Sequence, residues 1–135
     1  MIKNFIPQTF DGNNPLPAYV DNVSSYELVA TAPGGYKITL AKLTVGDSKS
    51  AGNPLAHALF ESFTDHGERA KVARTRVSGY DRDFIAVRSA MSEAGVEFHP
   101  TLSCPCETVL EALGEWFAVQ NSELTEVSVV SQRCH

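Results

Sequence analysis

Apolar and polar residues alternate along residues 26–31 and again along 36–45, with Ala-Pro-Gly-Gly near the break between them. Alternation with period two marks a half-buried strand, and a short Gly-containing break joins two such strands as a hairpin. In the second run Ile38, Leu40 and Lys42 are expected on one face, and Thr39, Ala41 and Leu43 on the other. The polar stretch 46–52 reads as a loop. From residue 53 the spacing changes: Leu55, Leu59 and Phe63 recur every four residues, with Ala58 and Phe60 beside them. Asn53-Pro54 precedes this run and Gly67 follows it. Asn caps helix starts, Pro is tolerated in the first turn and Gly closes helices, so the pattern predicts a helix.

Residues 70–77 alternate once more and predict a strand with a mixed polar face. Ser78-Gly79-Tyr80-Asp81 is a turn whose Ser and Asp have the spacing of a capping box. The helix expected after it carries Phe84, Val87, Met91 and Ala94 on one stripe and stops at Gly95. Residues 96–98 read as a short extended piece. Pro105 opens a further helix, with Val109, Leu110, Leu113, Trp116 and Phe117 on its apolar side, and 124–131 reads as a last strand. The breakers Pro7, Asp11, Gly12, Asn13, Asn14, Pro15 and Pro17 make residues 7–24 an irregular N-terminal arm. The order β-β-α-β-α-(β)-α-β predicts a single α+β domain over residues 1–135. Its sheet is mainly antiparallel, with three to five strands packed by about three helices.

A chain of 135 residues is long enough for one domain with its own core. No apolar run approaches the ~20 residues of a membrane span, and the first residues lack the apolar core of a signal peptide. A cytoplasmic protein without a membrane partner is therefore expected. Three cysteines, an odd number, do not make a disulfide framework.

Charge changes the picture most. Residues 68–88 hold Arg69, Lys71, Arg74, Arg76, Arg82 and Arg88 against three acids, whereas the remainder carries five bases and thirteen acids. One basic strip on a chain of net charge −5 points to a partner rather than to a fold, and disfavours nucleic-acid binding by the surface as a whole. On a strand Arg74 and Arg76 share a face. Arg82 would open the following helix, whose free N–H groups favour an anion, with Tyr80 exposed in the turn and Arg88 almost two turns on. A phosphate, a carboxylate or an acidic protein surface would suit such a site. The bland alternative is a solvated strand whose arginines pair with the surplus acids.

The segment RVSGYDRDFIAVRSAM, within this strip, resembles a stretch found in small proteins encoded by phages and plasmids. There an Arg-x-x-Gly-Tyr-Asp-like turn leads into a helix of small and apolar residues. The resemblance implies a mobile-element origin and carries over no catalytic residue.

Other chemistry is thinner. His99, Cys104, Cys106, Cys134 and His135 are zinc-ligand types, but Cys-Pro-Cys is not the usual ligand spacing, and small hydrophobes near a helix cap explain the cysteines equally well. Cys104 or Cys106 at a helix start could also be a reactive thiol. His57 and His66 are nine residues apart, too far to face each other across one helical turn. His66 beside Asp65 could serve as a base, or as a cation at a helix end. Asp81 and Asp83 suit a first helical turn, and Trp116 belongs to an apolar stripe. No hydrolase, metalloprotease or nucleotide-loop motif occurs. The expectation is a noncatalytic interaction protein without a cofactor, binding a protein or ribonucleoprotein through charged patches; with the mobile-element resemblance, an inhibitor of a host defence complex. The alternatives are a small enzyme or sensor for a phosphorylated ligand at the basic strand and turn, and a zinc-stabilised domain.

Overall fold

The computed structural model describes residues 10–11, 14–17, 19–64, 68–79, 82–96, 110–111, 113–114 and 123–133. Two short strands, β1 (Phe10–Asp11) and β2 (Asn14–Pro17), pair antiparallel. A meander follows: β3 (Asp21–Thr31), β4 (Lys37–Ser50), β5 (Asn53–Phe63) and β6 (Arg69–Val77). Helix α1 (Arg82–Glu93) comes next, and β7 (Thr125–Arg133) returns to the far side of β3. The main sheet is antiparallel in the order β6-β5-β4-β3-β7. The arm expected to be irregular thus contains a two-stranded ribbon, and the third strand starts within its last residues.

The helix expected after Asn53-Pro54 is a strand instead, and the polar loop before it is the end of β4 and a tight turn. Ser50 pairs with Asn53 around Ala51 and Gly52, which have φ of 52° and 83°. Two positive φ values in a row are the signature of the hairpin turn whose twist matches the strands, and Gly tolerates it without cost. Leu55, Leu59 and Phe63 are spaced by four, a multiple of two, so a strand aligns them as well as a helix does. Both faces of β5 are covered, which removes the polar alternation that would have revealed it. Ala56, Ala58 and Phe60 fill the main core, while His57, Leu59 and Glu61 are buried on the opposite face.

The 32–36 turn closes the first hairpin as expected, through hydrogen bonds from the Ala32 amide to the Tyr36 carbonyl (2.8 Å) and from the Gly35 amide to the Ala32 carbonyl (2.9 Å). The expected facing of β4 holds only as far as Leu40. Leu28 pairs with Ala41 while Val29 pairs with Thr39, so Leu40 is an extra residue in the ladder. This bulge switches the parity, and Ile38, Leu40, Ala41, Leu43 and Val45 all reach the same core.

Helix α1 lies on that core side, burying Ala86, Val87, Ala90 and Met91 against β5 and β6. Beyond its last turn Gly95 donates to the Ser92 carbonyl and Val96 to the Met91 carbonyl, the paired closure of a Gly-terminated helix. Among the described residues α1 is the one complete helix, where about three were expected. Leu110, Glu111, Leu113 and Gly114 are helical too, and Leu110 and Leu113 are buried in the main core, the side predicted for them. Trp116, Val109 and Phe117 lie outside the described residues, as does most of the extended piece expected at 96–98.

A candidate anion-binding face on the sheet

The face of the sheet opposite α1 is built from alternate residues of each strand. Register places Gly46 of β4, His57 of β5 and Arg76 of β6 in one row. The adjacent row holds Thr44, Leu59 and Arg74, and the next holds Lys42, Glu61 and Val72. Arg74 and Arg76 therefore share a face, and both are exposed. β6 is an edge strand, and its row of Arg and Lys also discourages pairing with another strand.

A second, smaller apolar cluster sits on this face. Leu16 and Val20, from the segment leading into β3, pack on Val23 and Leu59, with Val72 beside them. The approach is close at Gly46, where a Cβ would collide with Cγ1 of Val20. Only glycine lets this segment reach the sheet there. Tyr19, carried on it, stays 63% exposed and meets the His57 ring edge-on, with centroids 6.1 Å apart and planes at 72°. Leu16, Tyr19, His57, Arg74, Thr75 and Arg76 together line a shallow depression of about 280 Å³.

His57 is oriented from the neighbouring strand β4. Its Nε2 lies 2.5 Å from the hydroxyl oxygen of Ser48, and both residues are buried. Burial holds the imidazole pKa below its ordinary value, Arg76 lowers it further, and Asp47 opposes both. His57 is therefore neutral near pH 7, and in the tautomer with a bare Nε2 the Ser48 hydroxyl donates to it. A hydroxyl on an imidazole is the pair used to activate nucleophiles. Ser48 does not line the depression, however, so the contact serves to fix the ring.

Two rows along, Glu61 is buried and paired with Arg69 at 2.8 Å. Burial raises its carboxyl pKa, while Arg69, Lys42 and Arg74 pull it back and Glu27 adds to the rise. Burial also lowers the Arg74 pKa, against the pull of Glu61, but a guanidinium stays charged.

The sheet separates the expected strip into two sets. Arg82 and Arg88 belong to α1, on the core side of the sheet, away from Arg74 and Arg76. Arg82 lines a separate depression of about 430 Å³ with residues of the β4–β5 hairpin end, Ser78 and Gly79. Its Nε is buried, with no hydrogen-bond partner among the described residues. Beside it Asp83 has a raised pKa, through burial and then Asp47, with Arg82 opposing. The Arg88 guanidinium lies 5.7 Å above the Phe84 ring. Tyr80, Asp81, Asp65, His66, His99, Cys104, Cys106, Cys134 and His135 lie outside the described residues. Among the described residues no group of three His, Cys, Asp or Glu is placed to hold a metal ion, and no helix is long and apolar enough to cross a membrane.

Tyr19, Ser48 and Glu61 were not singled out in the sequence, and His57 was placed on a helix. The available signal was the even spacing of Leu55, His57, Leu59, Glu61 and Phe63, which a strand reading puts on one face. No protein-family model, curated protein or solved structure matches the chain.

Proposed function

We propose that the protein is a noncatalytic interaction protein that engages an anionic macromolecular partner, a protein or ribonucleoprotein, through the Arg74–Arg76 face. The observation that carries this reading is the exposure of both arginines on one face of an edge strand, around an open and shallow depression. Such a surface suits an extended partner better than a small enclosed substrate, which takes a deeper cavity. Guanidinium forks bind phosphate and carboxylate oxygens in pairs, and exposed charge on an otherwise acidic chain steers association. The phage- and plasmid-like segment 76–91 supports a mobile-element setting and cytoplasmic action. In that setting an inhibitor of a host defence complex is the specific form of the proposal.

A second reading, a small sensor or enzyme for a phosphorylated ligand, is favoured by the convergence of His57, Tyr19 and Arg76 on one depression. The test is binding of the Arg74→Gln/Arg76→Glu variant to polyglutamate and to a short single-stranded oligonucleotide over a range of salt. Slower association that converges on the parent protein at high salt supports the interaction reading. Unchanged association of a folded variant removes this face from the function.

A further inference from the structure

The depression joins two permanent cations to one group that can become a cation. Arg74 and Arg76 come from β6, and His57 stands on β5 directly across the ladder from Arg76. Among the described residues, the groups around His57 are Arg76 and Arg74 from the edge strand, Ser48 from β4 and Tyr19 at its open side, while Asp47, on the opposite face of β4, acts on it through charge. Among the described residues Asp47 is the acid whose charge bears on it, and Arg76 the cation. Without a ligand, then, the ring is held neutral by its dry surroundings and its cationic neighbour.

We propose that a phosphate-type oxyanion held by Arg76 and Arg74 over the Tyr19–His57 depression is bound with uptake of a proton by His57. The inference rests on reading this face as an anion site and adds how that site is regulated. An oxyanion beside the ring offsets the Arg76 charge and favours the imidazolium, as opposite charges at short range do. Linkage is reciprocal: if the anion makes protonation easier, protonation makes the anion bind more tightly. The gain is absent above the pKa of His57 in the complex, grows as pH falls through that value, and is complete below the pKa of the free protein. Ser48 can follow the change. Its hydroxyl donates to a bare Nε2 and accepts from a protonated one without moving.

Sulfate is the probe, because it stays a dianion between about pH 5 and 8, where histidine titrates. Ionic strength is held constant with chloride. The imidazole C–H resonances of the intact protein are followed against pH with and without sulfate, the His57 signal being the one lost in His57→Gln. The expected result is a higher His57 pKa in sulfate, with sulfate affinity rising about tenfold for each unit of that shift. The pH dependence should flatten in His57→Gln, whose amide can still bond Ser48. A second arm uses a short single-stranded oligonucleotide, whose phosphodiesters do not titrate in this range. A midpoint well below that of sulfate assigns the oxyanion to a polymer, and an equal or higher midpoint assigns it to a free ion; with a raised His57 pKa either outcome supports the inference. Sulfate that shifts the Arg74 and Arg76 signals while the His57 pKa stays still would overturn it and leave the anion site standing. No perturbation of Arg74, Arg76 or His57 at any pH would overturn the anion site as well.

Discussion

His57 and Arg76 are direct cross-strand partners on β5 and β6, with the imidazole buried and the guanidinium exposed. A neutral ring beside an accessible cation is a stable pairing only while the ring lacks a proton. This relation gives the face its electrostatic character and gives the domain a pH dependence.

The His57 contribution to stability should fall as pH is lowered through the histidine range. The folded pKa of His57 lies below its ordinary value of about 6.5, so the unfolded chain binds more protons. Its contribution is full above that value and declines as pH falls toward the folded pKa. Glu61 has the opposite sign: its folded pKa is raised, so its contribution is full below the ordinary carboxylate range and is lost as pH rises through the folded value. Because the two oppose each other, the His57 part is read as a difference: between about pH 5 and 8 the urea midpoint of the parent protein should fall toward acid relative to that of His57→Gln.

The buried ion pair gives an asymmetric prediction. Arg69→Met leaves the Glu61 carboxylate, 4% exposed in its side chain, without its nearest cation and should cost about 3 kcal/mol. Glu61→Gln removes the buried charge itself and should cost less. Chemical denaturation of the two variants checks the order, and a costlier Glu61→Gln would mean that the pair is a net stabiliser.

Gly46→Ala should loosen the segment that carries Tyr19. The new methyl group would collide with Val20, and overpacking of this kind costs about 1–3 kcal/mol. Hydrogen exchange should speed up around Leu16 and Val20 while the main core stays protected. Phe60→Ala, in that core and fully buried, should cost about 3–5 kcal/mol across the whole domain.

The hairpin of β3 and β4, the strand β6 and helix α1 were legible because each has one covered face or a clear stop signal. β5 was not. Its neighbours cover it on both sides, so Ala56, Ala58 and Phe60 interleave with Leu55 and Leu59 into a run that fits a helix as readily as a strand. Arg74 and Arg76 were legible as a shared face through strand alternation. Their separation from Arg82 and Arg88 was not, because the side of the sheet on which α1 packs is a tertiary fact. The partnership of His57 with Ser48, Tyr19 and Arg76 depends on register across three strands, which no local pattern encodes.

Charge reversal on the two sides of the sheet should therefore act differently. Arg76→Glu should weaken polyanion binding, whereas Arg88→Glu on α1 should leave it as it was, each changing stability by less than about 0.5 kcal/mol as exposed substitutions do. Equal losses from both would mean that net charge, not the face, governs binding.

Docking of anionic partners on the face of β5 and β6 opposite α1 is what the proposal requires. Mapping amide chemical shifts of the isotope-labelled protein during titration with polyglutamate and with a short single-stranded oligonucleotide tests it most directly. The perturbed amides should cluster at Tyr19, His57, Arg74 and Arg76, and the perturbations should fade as salt rises. Perturbations confined to α1 or to β7, with Arg74 and Arg76 unmoved, would contradict it.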